Sequence, residues 1–123
     1  MRFVGKIYSD NEAETAVSGS NSKQLILLVY EKIFDQLRMG QLELSQGRFG
    51  IDFFSKASDL INLGLLASLD LKKGGEIAKN LKEIYEWALK RIIDARIKKS
   101  PEMIQDVIDV MQPLYEAWDE MRP

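Results

Sequence analysis

Lys72-Lys73-Gly74-Gly75 comes nearest to chemical equipment in this chain. Glycines let backbone N–H groups approach a phosphate and lysines add charge, so the stretch first reads as a phosphate grip. Phosphate loops of that kind follow a strand and carry the spacing GxxxxGK[ST]. Here a helical pattern comes before, and the lysines precede the glycines. The four residues are better read as a corner between two helices. Gly74 or Gly75 would be the left-handed terminus, with Glu76 opening the next helix at its positive dipole end. This is not a nucleotide site.

Missing residue types narrow the chemistry further. The chain has 123 residues, no cysteine and no histidine. Disulfides, thiolate nucleophiles and the usual structural zinc sites are thereby excluded. So are the commonest general base and the Glu-x-x-His ligands of di-iron bundles. Carboxylates are plentiful, but none forms a cluster distinct from ordinary helix surface. The reading is that the protein is not an enzyme, takes no cofactor and binds no metal. A net charge of -2 gives no pull toward nucleic acid. The basic residues between Lys90 and Lys99 fall in the last turns of a helix, where cations offset the dipole. The N-terminus lacks a basic-then-apolar leader pattern, and no apolar run approaches the roughly 18 residues of a membrane span. The chain is expected in the cytosol, with no membrane partner.

Elements that could position functional residues are all helical. Residues 1–20 read as a mobile arm, with Phe3, Val4, Ile7 and Tyr8 in otherwise polar sequence and a Gly/Ser-rich end. Residues 21–121 read as the helical domain. Asn21 and Gln24 fit a capping box, and Ile26, Tyr30, Ile33, Leu37 and Leu44 then recur at helical spacing. Gly47 and Gly50 bracket a turn. A second helix from about Ile51 carries Phe54, Ala57, Ile61, Leu65 and Ser68 on one face. A third, from about Glu76 to Arg96, carries Ile77, Leu81, Ile84, Ala88, Ile92 and Ala95. Ser100-Pro101 restarts the chain as N-cap and first helical residue. The fourth helix carries Ile104, Val107, Met111, Leu114 and Trp118, with a kink or a short extra helix expected at Pro113. No segment alternates with a strand's period. The expected fold is all-α, an antiparallel four-helix bundle with an N-terminal arm.

A bundle helix needs one apolar stripe, and these helices carry more. Leu28, Met39 and Leu42 fall among the charges of the first helix, with Leu25 at the edge. Leu63 and Leu66 sit with Asp52, Asp59 and Asp70 on the second. On the third, Trp87 lies near Asn80, while Ile93 and Ile97 flank Lys79, Glu86 and Lys90. Any one of these is ordinary, since single exposed apolar residues are common. Their number favours a second, partner-facing surface, and grooves between helices suit helical segments of another chain.

Specific motifs sharpen this. Ser68-Leu69-Asp70, followed by Gly74-Gly75-Glu76-Ile77-Ala78, Asn80-Leu81 and Tyr85, resembles the signature of the flagellar secretion chaperones of the FliS family. KQLILLVYE in the first helix and Glu116-Ala117-Trp118 are similar to that family's other motifs. The matches spread over about Val17 to Trp118. Where the family usually has Thr-Ala-Ser-Pro before the first helix, this chain has Gly19-Ser20-Asn21-Ser22.

The resemblance implies a cytosolic, non-catalytic export chaperone. Such a protein holds the disordered C-terminal segment of flagellin, prevents premature polymerisation and assists delivery to the flagellar export apparatus. Components of the export gate are further candidate partners. The free protein is expected as a monomer or weak dimer. Leu25, Leu28, Leu63, Leu66 and Trp87 are the expected partner contacts. Asn80 is carried over from the motif. Ile7 and Tyr8 are candidates for an arm that covers part of the groove. The competing reading is a self-associating adaptor or scaffold that uses the same patches on a second copy.

Overall fold

A computed structural model of the chain describes residues 19–121. These form α1 (Gly19–Ser45), α2 (Ile51–Asp59), α3 (Leu71–Lys98) and α4 (Pro101–Glu120), with no strand among the described residues. α2 runs on into a π-helical turn, Leu60–Leu65, and a 3-10 turn, Leu66–Ser68. Side-chain bonds along α1 and α4 fix their antiparallel sense. Lys23 Nζ donates to the Met121 carbonyl at 2.7 Å, Tyr115 to Glu31 Oε2 at 2.6 Å, and Gln41 Nε2 to the Pro101 carbonyl at 3.0 Å. α1 packs on α2 and α4, and α3 on α4 and the π turn, so the four close a ring. No described helix is long and apolar enough to cross a membrane.

The expected inward stripes supply most of the core. Tyr30, Ile33 and Leu37 of α1 meet Phe54, Ala57 and Ile61, then Ala88, Ile92 and Ala95 of α3 and Ile104, Val107 and Met111 of α4. The α1–α2 corner depends on close approach. Gly47 and Gly50 have φ of 81° and 61°, and a Cβ on Gly40 would lie 2.4 Å from the Phe54 ring. At the other tight corner, Lys99 adopts the left-handed conformation at φ 49°, ending α3. Ser100 then caps α4 by accepting from Met103 N at 3.2 Å, with Pro101 in the first turn.

Three local expectations are corrected. α1 begins at Gly19, so Asn21 lies inside the helix rather than capping it. α3 opens at Leu71 rather than Glu76, because Asp70 caps an extra turn by accepting from Lys72 N and Lys73 N. Gly75 then interrupts the helix at φ 56°, ψ -133°, a glycine conformation outside the left-handed helical well. Regular helix resumes at Glu76, where the apolar periodicity begins. Finally, of the kink or short extra helix expected at Pro113, the short extra helix does not form, and α4 is one element through Pro113. Pro113 and Asp109 are both exposed, so the Asp109 carbonyl that proline leaves without a donor is on the solvent side.

A buried polar contact crosses the bundle. The Tyr30 and Tyr85 hydroxyls lie 2.5 Å apart. Burial pushes both phenols above their ordinary value of 10.0. Tyr115 is pushed up to about 12, first by its hydrogen bond to Glu31. A raised phenol holds its proton more tightly when folded than when unfolded. Its contribution to stability is therefore complete below the unfolded value near pH 10 and is lost as pH rises above it. The melting midpoint should fall as pH rises above about 10, and less steeply in a Tyr30→Phe/Tyr85→Phe double variant. Melting curves across that range decide it. Equal slopes would mean that the buried pair is not what titrates.

Candidate partner-binding grooves

Two grooves are built around the chain's passage from the 3-10 turn into α3. The larger has a volume of about 610 Å³. Its floor is Ala78 and Leu81 of α3; Ile77 stands at its edge, and Leu114 and Trp118 of α4 form the far wall. Leu69 and the first turn of α3, through Asp70, Lys73 and Gly74, form the near wall. The smaller groove, about 360 Å³, lies on the other side of that wall. Leu63, Leu66, Leu69 and Leu71 line it, with Lys82 and Glu86 at the rim in a 3.8 Å ion pair. Leu69 therefore faces both grooves.

Helix geometry explains why these apolar residues remain uncovered. α2 ends as a helix at Ser68, whose hydroxyl turns back to the Gly64 carbonyl at 2.6 Å. The apolar stripe of α3 begins at Ile77, facing the space beside this terminus. Ile77 is 73% exposed and Leu81, Leu114 and Trp118 are only half-buried, unlike Ala88 or Ile92 deeper in the same bundle. What the grooves offer is carbon surface. Among the described residues no group of three or more acidic, histidine or cysteine side chains could hold a metal ion. Neither lining contains a nucleophile paired with a base. Such a surface binds by removing apolar area from water, and its rim charges orient what enters.

The residues expected at the partner surface divide. Leu63 and Leu66 lie together in the smaller groove, though Leu66 also packs against the core. Leu28, Asn80 and Trp87 are exposed but line neither groove. Leu25 is corrected: at 8% exposure it belongs to the core, because α1 is packed by helices on two sides and its buried stripe is correspondingly wide. Ile7 and Tyr8 lie outside the described residues. Two residues assigned to inward stripes are corrected in the opposite sense. Ile77 and Ser68 are exposed and line the larger groove. Leu69 was not singled out for a site at all. The signal that could have found it was its place next to a glycine corner, where an apolar residue is not needed by either helix.

Comparisons with known proteins match nearly the whole chain. A family model described as flagellar protein FliS matches residues 5–123. The flagellar secretion chaperone FliS of Salmonella typhimurium is 33% identical over 120 residues, covering 96% of this chain and 89% of that protein. The protein of that name from Vibrio cholerae is 27% identical over 125 residues, covering 100% and 91%. The one from Escherichia coli is 26% identical over 117 residues, covering 92% and 85%. The stretch Ser68 to Leu81 and the pair Ala117-Trp118, which carry the motif resemblance, supply most of the larger groove's lining.

Proposed function

This chain belongs to the FliS family of flagellar proteins, and from that premise we propose that it is a secretion chaperone for flagellin, working in the cytosol. In this reading the two grooves receive the disordered C-terminal segment of flagellin. Apolar side chains that would otherwise pair with other flagellin subunits are buried here, which prevents premature polymerisation until delivery to the export apparatus. The observation that carries the reading is the coincidence of the family-like residues with the larger apolar groove. Relatives bearing the name flagellar secretion chaperone support the broader role.

The physics of such a partner fits two grooves better than one. A disordered segment loses conformational entropy on binding, so it needs a long contact to bind usefully. Apolar burial contributes about 25 cal/mol per Å². Two grooves that meet at Leu69 let one segment cross from one to the other, accumulating area without a deep pocket.

Titration calorimetry of the full chain with a synthetic flagellin C-terminal segment tests the proposal. The expected result is one-to-one binding with a negative heat-capacity change, the mark of apolar burial. Light scattering of the same samples separates the competing scaffold reading. A self-associated species that is unchanged by the peptide, with no calorimetric binding, would replace the chaperone by an adaptor.

A further inference from the structure

We propose that the turn Leu69–Gly74 is a pinned wall common to both grooves, and that Asp70 and Gly75 are the positioning residues that hold it for partner binding. The inference rests on the reading of the grooves as the partner site, and it assigns roles to two residues that contribute no apolar contact.

Beyond Leu69, packing does not hold this wall. Leu71 is 50% exposed, and Lys72, Lys73, Gly74 and Gly75 are exposed too. Within the turn only Leu69 packs against the core. Three hydrogen bonds fix the turn instead. Asp70 Oδ1 accepts from Lys72 N at 3.1 Å and Lys73 N at 3.0 Å, and the Asp70 carbonyl accepts from Gly74 N at 2.7 Å. The first two bonds satisfy N–H groups that a helix start leaves without partners.

At the other end, Gly75 reverses the backbone at φ 56°, ψ -133°. A Cβ there would touch nothing within 4 Å, so the requirement for glycine is one of torsion and not of space. Gly74 differs: its Cβ would lie 2.6 Å from that of Ala78, so a bare backbone lets the wall settle onto the groove floor. Core packing sets Leu69, and capping bonds and one torsion therefore decide where the rest of the wall, Asp70 to Gly74, stands. Because Asp70, Lys73 and Gly74 line the larger groove and Leu71 the smaller, a displaced wall changes both grooves together.

The test compares Asp70→Ala, Asp70→Asn and Gly75→Ala with the unmodified chain. Asparagine caps as well as aspartate, whereas alanine does not cap. Asp70→Ala should weaken binding of the flagellin C-terminal peptide about fivefold or more, while Asp70→Asn stays within about twofold of the parent. Gly75→Ala should weaken it at least as much. The thermal midpoint should change little in all three, since fraying of one exposed turn is a local opening. Two readouts need no flagellin: amide exchange at Lys72 and Lys73, and fluorescence of the apolar dye anilinonaphthalene sulfonate. Both should change in Asp70→Ala and return in Asp70→Asn.

If the parent chain binds no peptide, the functional reading fails, and exchange and dye fluorescence still decide the wall. The inference is overturned if Asp70→Ala matches the parent in peptide binding, or in exchange and dye when no peptide binds. It is equally overturned if Asp70→Ala lowers the melting midpoint as a core variant does and asparagine fails to rescue binding. That result would make the cap a general stability element.

Discussion

Ile61→Glu is expected to remove the cooperative melting transition of the chain, or to lower its midpoint by more than about 15 °C. Ile61 has 0% exposure and lies in the same core cluster as Phe54, Ala88 and Ile92. Among the described residues no charged side chain is buried, and the buried Tyr30 and Tyr85 hydroxyls already bond each other. An unpaired charge in such a place costs several kcal/mol, and the lost isoleucine packing adds to it. Domains of this size are stable by only about 5–15 kcal/mol. Leu66→Glu should fall between this and a surface change, because Leu66 is half-buried and leans on the core from the groove side. Circular dichroism melting of the two variants and the parent gives the order. A midpoint for Ile61→Glu within a few degrees of the parent would remove Ile61 from the core and with it the assignment of α2's inner face.

The Ile61 stripe was legible in the sequence because helix periodicity reports which side of a helix is apolar. Ile33, Leu37, Ala88, Ile92, Val107 and Met111 were legible for the same reason, and all are buried. The Ser100-Pro101 restart and the glycine corner at 47–50 were legible because capping and positive φ restrict residue type. Periodicity is silent on whether a neighbour stands opposite a stripe. Ile77 has the spacing of a core residue, yet α2 has ended beside it and the position opens to solvent. Leu25 shows the reverse. Its angle placed it at the edge of one stripe, but α1 is packed by both α2 and α4, and Leu25 is buried in the core. Asp70 was legible as part of a family-like motif and not as a cap, because the turn it opens is too short to carry a periodic signal. The grooves themselves needed the fold. They arise where four helices of unequal length fail to cover one another.

Ile77→Glu should abolish that larger groove as a binding surface while leaving the bundle intact. At 73% exposure a carboxylate there is solvated in the free protein. It also sits in the first regular turn after Gly75, where an acidic side chain favours the helix dipole. Melting should therefore move by no more than the roughly 0.5 kcal/mol typical of surface changes. An apolar partner segment entering the groove would have to strip water from that carboxylate without offering it a hydrogen bond. A penalty of about 3 kcal/mol corresponds to a loss of roughly 100-fold in affinity. The control is Ile97→Glu, on the same helix at 76% exposure but lining neither groove. It adds the same charge and removes the same side chain, so it accounts for net charge. Calorimetry with the flagellin C-terminal peptide should show parent-like affinity for Ile97→Glu and none measurable for Ile77→Glu. Should both variants bind as tightly as the parent, the partner does not enter this groove. Should both lose binding equally, the effect is one of overall charge. Only a difference between the two places the apolar contact beside Leu81 and Trp118, where the family-like residues gather.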